Sequence, residues 1–125
     1  MEVAQALAEL TELSSQIERA VVLDDGGAVV GSTLADADAS EGLARAAREL
    51  IAAGAELHAS EDVTRVEVEL AEGAMFVLRE GGRTIAATTG PGPTAGLVVY
   101  DLRTCLHGLG EAKPKRRQRK KAADA

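Results

Sequence analysis

The sequence predicts an α/β fold of the order α-β-β-α-β-β-β-α, and three observations predict it. An amphipathic stripe at the start runs straight into a hairpin, and an Ala-rich helical stretch follows. Three short strands joined by glycine turns then lead to a last amphipathic helix.

Val3, Leu7, Leu10 and Ser14 recur at helical spacing and define the first helix. Ala20-Val21-Val22-Leu23, the turn Asp24-Asp25-Gly26-Gly27 and Ala28-Val29-Val30 form a hairpin, since Asp and Gly tolerate the positive φ of tight turns. Asp36, Asp38, Ser40 and Glu41 offer N-cap oxygens to a second helix, whose stripe is Leu43, Ala46, Ala47, Leu50, Ile51 and Gly54. Gly54 and the polar stretch 56–62 end it.

Val66, Val68 and Leu70 then alternate with Arg65, Glu67 and Glu69, a strand with one apolar and one charged face. Glu72-Gly73 turns the chain into Ala74–Leu78, and Gly81-Gly82 turns it into Thr84–Thr89. Gly90-Pro91-Gly92-Pro93 breaks the sheet and Thr94 can cap the last helix. Its stripe is Val98, Leu102, Cys105, Leu106 and Leu109, ending near Gly108 and Gly110. Unbroken apolar runs are apolar on both faces, so Ala20–Leu23 and Met75–Leu78 belong in the sheet interior. Arg65–Leu70 reads as an edge, which needs covering or pairing; a second copy would pair it.

A chain of 125 residues fits one domain that buries roughly two thirds of its unfolded surface. Phe76 and Tyr100 are the only aromatics, so the core is aliphatic and stacking platforms for bases or sugars are largely excluded. Residues 1–112 carry 7 basic and 19 acidic side chains, whereas 113–125 carry 7 basic and 1 acidic. The expected organisation is therefore a folded body, 1–112, and a disordered basic tail, 113–125. A single cysteine, a start Met1-Glu2-Val3-Ala4 without the basic region of a signal peptide and with Glu9 and Glu12 soon after, and no uncharged apolar stretch of membrane-spanning length predict a cytoplasmic protein.

The hairpin Val21-Val22-Leu23-Asp24-Asp25-Gly26, the Ala-rich second helix, Arg65-Val66-Glu67-Val68-Glu69 with Phe76-Val77-Leu78, and Pro93 before the last helix resemble the Roadblock family. That family is named for a dynein light chain and includes bacterial regulators of Ras-like GTPases. The resemblance spans nearly residues 2–110. It implies an α/β sandwich, a five-stranded antiparallel sheet flanked by helices, that dimerises through its third strand and second helix. It also implies a homodimeric, non-enzymatic regulator or scaffold that binds a Ras-like small GTPase and modulates its hydrolysis of GTP. No catalytic motif is fixed in that family, so none is carried over.

The residues themselves favour bland chemistry. Gly90–Thr94 lacks the Gly-Lys-Ser/Thr ending of a phosphate loop, and Asp36, Asp38 and Glu41 lack the Gly and bidentate Glu of a calcium loop. His58 and His107 have no second ligand at metal spacing, and Cys105 falls on an apolar stripe, so all three read as structural. No cofactor or metal is expected.

Arg45 and Arg48, three apart in the second helix, read as a solvated face or, with Glu49 and Ala52, as GTPase-binding contacts; catalysis by an arginine finger is the weaker reading. Arg65, Val66, Glu67, Val68 and Glu69 are the expected dimer interface. Lys113, Lys115, Arg116, Arg117, Arg119, Lys120 and Lys121 form an arm suited to nucleic acid or an anionic membrane, the alternative function, or a solubilising terminus. The strongly acidic body would keep nucleic acid at arm's length. A ligand-sensing module would need a cavity with convergent polar groups, which an Ala-rich, aromatic-poor interior does not suggest.

Overall fold

Apolar alternation and glycine turns set the architecture that the computed structural model describes for residues 2–57 and 63–112. The elements are α1 (Val3–Leu13), β1 (Ile17–Leu23), β2 (Val29–Ser32), α2 (Ala37–Ala55), β3 (Arg65–Leu70), β4 (Gly73–Glu80), β5 (Arg83–Thr89) and α3 (Ala95–Ala112). All five strands join in one antiparallel sheet of order β2-β1-β5-β4-β3. The last strand in sequence is thus the middle one in space.

Period-two burial divides the sheet into two faces. On one, Ala20, Val22, Phe76, Leu78, Ile85 and Ala87 pack against Leu7 and Leu10 of α1 and Val98, Leu102 and Leu106 of α3. On the other, Val21, Leu23, Val77 and Ala86 meet Ala44 and Ala47 of α2. Each fully buried Val, Leu, Ile or Phe contributes about 1.5–3 kcal/mol, so the α/β sandwich rests on the aliphatic runs of β1, β4 and β5.

The turns follow from their chemistry. The Asp24 carboxylate accepts from the N–H groups of Gly26 (2.9 Å) and Ala28 (3.0 Å), fixing the first hairpin turn. Gly81 and Gly82 both have positive φ, 62° and 79°, between the paired residues Glu80 and Arg83, as a two-residue hairpin turn requires. Asp36 caps α2 by accepting from the Asp38 N–H at 3.2 Å.

Several boundaries differ from the sequence expectation, those of β1 and α3 among them. β1 begins at Ile17, three residues before Ala20, because a register shift between Ile17 and Arg19 lets Glu18 and Arg19 both face solvent and hides the alternation. α3 runs on through Gly108 and Gly110 to Ala112, since burial of Leu106 and Leu109 offsets the ~1 kcal/mol that a helix-interior glycine costs.

Candidate partner interface

β3 is an edge strand, and the phase of its ladder determines what that edge offers. The Arg79 N–H donates to the Thr64 carbonyl at 3.0 Å, which makes this facing pair a hydrogen-bonded one. Hydrogen-bonded pairs alternate along an antiparallel ladder. Val66, Val68 and Leu70 therefore bond inward to β4, while Arg65, Glu67 and Glu69 aim their backbone N–H and C=O groups outward. Among the described residues no strand pairs with that outer edge.

Side chains divide the same way. Val66 and Val68 lie half-buried on the α2 side. Arg65, Glu67 and Glu69 project exposed on the opposite side, with Arg65 Nε 3.1 Å from Glu67 Oε2. Leu70, at the end of the strand, is 67% exposed.

Beside this edge runs an open apolar groove of about 720 Å3 between α2 and the sheet, walled by Leu50 and Ala53 on the helix and by Val68, Leu70 and Met75 on the strands. Leu70 and Met75 are not among the site residues that the sequence suggests. A signal for Leu70 is present all the same, since it continues the apolar alternation of Val66 and Val68 after burial has run out. A second, smaller groove of about 420 Å3 lies between α1 and α3, lined by Leu10, Leu13, Tyr100 and Cys105 with Glu9 and Asp101 at its rim.

The four α2 candidates do not act as one set. Arg45, Glu49 and Ala52 are exposed on the outer face of the helix. Arg48 turns to the flank, half-buried, where Nη1 donates to the Gly27 carbonyl at 2.6 Å and Nη2 pairs with the Glu41 carboxylate. Its hydrogen-bonding capacity is largely spent inside the chain, tying α2 to the β1–β2 turn.

The remaining chemistry-bearing groups are engaged structurally. Cys105 is buried in α3, and burial with the nearby negative charge of Glu9 pushes its thiol pKa up to about 11. His107 Nε2 lies 2.8 Å from Glu80 Oε1, and Arg103 Nε donates to Glu80 Oε2 at 2.9 Å, so Glu80 at the end of β4 is clamped to α3. That bond to His107 holds the Glu80 carboxyl below its ordinary range, against an opposing effect of burial and with further help from the bond and charge of Arg103. Among the described residues no three His, Cys, Asp or Glu side chains converge to hold a metal ion, and no helix is long and apolar enough to cross a membrane. His58 and the basic residues Lys113, Lys115, Arg116, Arg117, Arg119, Lys120 and Lys121 lie outside the described residues.

No family model matches the sequence, and no curated protein matches it. Solved structures do. The chain is similar to a Roadblock/LC7 domain from Streptomyces avermitilis, with a TM-score of 0.77 at 23% identity over 88% of this chain and 96% of that one. It is also similar to MglB of Myxococcus xanthus, with a TM-score of 0.70 at 16% identity over 86% of this chain and 84% of that one. A third similar structure is the gliding protein MglB from Thermus thermophilus, with a TM-score of 0.69 at 14% identity over 84% of this chain and 83% of that one. The chain therefore has the Roadblock/LC7 fold, as the sequence resemblance implied.

Proposed function

We propose that this chain is a non-enzymatic, homodimeric regulator or scaffold that binds a Ras-like small GTPase and modulates its hydrolysis of GTP. One observation carries the reading: the open edge of β3, the apolar groove and the exposed face of α2 form one continuous surface. The Roadblock/LC7 fold supports it. In it, residues 1–112 are the regulatory module and 113–125 a separate basic arm.

Each part of that surface has a physical task. Outward backbone groups at Arg65, Glu67 and Glu69 pair with a second copy, which removes an exposed edge that would otherwise invite aggregation. Joining two sheets at β3 sets both α2 helices on one side. Arg45, Glu49 and Ala52 are then presented twice over, as contacts for the switch regions of the GTPase. Arg48 supports α2 from within the chain and is not the arginine offered to the nucleotide. Cys105 and His107, buried or bonded to Glu80, are not offered to a substrate either.

The test is titration of the purified chain against Ras-like GTPases of its own organism, loaded with GTP or a non-hydrolysable analogue. Binding that favours the GTP form, with a changed rate of phosphate release, is expected. A panel in which no GTPase binds and no hydrolysis rate moves would overturn the reading.

A further inference from the structure

We infer that β3 pairs with its own copy in a single antiparallel register, with Glu67 facing the partner's Glu67 on the two-fold axis and Arg65 facing the partner's Glu69. The inference rests on the self-association proposed above and specifies its geometry.

A two-fold axis perpendicular to a sheet keeps the faces of the two copies aligned, so one residue of β3 must face itself. An axis at Arg65 overlaps only the start of the strand, because β3 begins at Arg65, and an axis at Val66 sets Arg65 opposite the partner's Glu67 but leaves Val68, Glu69 and Leu70 without a facing residue of β3. An axis at Glu69 likewise overlaps only the last residues and sets two like charges face to face. An axis at Val68 sets Glu67 opposite the partner's Glu69 twice, and like charges directly opposite destabilise a pair of strands.

An axis at Glu67 places all of residues 65–69 in the ladder. It uses the outward backbone groups of Arg65, Glu67 and Glu69 as hydrogen-bonded positions. It sets Arg65 opposite the partner's Glu69 twice on the charged side, and Val66 opposite the partner's Val68 twice on the α2 side, next to the groove. Its one unfavourable element is the facing pair of Glu67 carboxylates, and each of these already lies 3.1 Å from its own Arg65. The Glu67 register is thus the one that pairs most of β3 while setting opposite charges and valines against each other.

Charge reversal reads this out in the full-length chain by light scattering and sedimentation equilibrium. Arg65→Glu alone and Glu69→Arg alone each weaken the dimer by about tenfold or more, since two pairs change sign at once. The double variant Arg65→Glu, Glu69→Arg returns to within about threefold of the native constant, and Glu67→Gln tightens it by about threefold. In a second measurement, Glu67→Cys forms a disulfide-linked dimer on mild oxidation, because facing hydrogen-bonded residues have Cα atoms about 5.5 Å apart, within disulfide range. The native Cys105 is buried and gives little background. A dimer that the double variant leaves as weak as the single ones, or that is restored instead by Arg65→Glu with Glu67→Arg, overturns the register alone. Cross-linking through Val66→Cys rather than Glu67→Cys does the same. A native chain that stays monomeric overturns the self-association and the register together.

Discussion

Arg48 and Gly27, 21 residues apart in sequence, are joined by a 2.6 Å hydrogen bond from the guanidinium to the backbone carbonyl. The same guanidinium pairs with Glu41 one flank over, so a single planar group fastens α2 to the β1–β2 turn. Replacing it by Ala removes a charge-assisted bond at a half-buried site, and a loss of about 1 kcal/mol is expected. Arg48→Lys will not restore stability, because an ammonium cannot fork to both partners. Urea denaturation of the three proteins measures both statements.

Arg45 gives the opposite pattern. It is exposed on the outer face of α2, and Arg45→Glu is expected to leave stability within ~0.5 kcal/mol of native. If the outer face meets a GTPase, the same change weakens binding by about tenfold. Calorimetric titration beside a thermal melt separates the two effects, and a variant with native affinity would remove Arg45 from the interface.

Gly73 opens β4 where a Cβ would sit 2.6 Å from the carbonyl oxygen of Thr89. Backbone cannot yield as a flexible side chain can, and Gly73→Ala should cost about 1–3 kcal/mol. Gly42, in the interior of α2 with open space around it, is the contrast: Gly42→Ala should stabilise by about 0.5–1 kcal/mol. Melting temperatures of the two variants should move in opposite directions.

The Glu80 clamp predicts an acid limb in the stability profile. Its carboxyl titrates below the unfolded value of 4.5. The stabilisation is therefore present above that value and lost as pH falls through the lower folded one. Glu80→Gln should reduce the difference in melting temperature between pH 7 and about pH 3. An unchanged difference would show that the contacts with His107 and Arg103 contribute nothing to folding.

Cys105 should be silent in the native state. With its thiol pKa raised to about 11 and its side chain buried, it should resist alkylation at neutral pH and react promptly once denaturant unfolds the chain. Mass spectrometry with and without guanidinium distinguishes the two states.

What the sequence made legible was periodic. The stripes Leu7–Leu10, Ala47–Leu50–Ile51 and Val98–Leu102, the alternation of Val66 and Val68 with Arg65, Glu67 and Glu69, and the Gly81-Gly82 turn carry the element order and place β3 at an edge. Information without a period was not legible. The extension of β1 to Ile17 is masked by the shift at Arg19, and the ties from Arg48 to Gly27 and from His107 and Arg103 to Glu80 join residues with no local pattern between them. Arg45 and Arg48 look equivalent at three residues' spacing. A helix turns about 300° over three residues, enough to put one on the outer face and the other on a flank.

The place of β5 bears on how the chain reaches its structure. Its neighbours are β1 and β4, and the pairing of Leu23 with Thr84 closes a loop of some sixty residues. During synthesis, Ala20–Leu23 emerges long before the strand that covers it, and the α1-β1-β2 unit must wait with an unsatisfied edge. Closing so long a loop costs entropy before any contact repays it. Sheet assembly is therefore a late, cooperative event in the life of the nascent chain, and an intermediate stalled before residue 83 would leave the β5-facing edge of β1 unpaired, a site for aggregation.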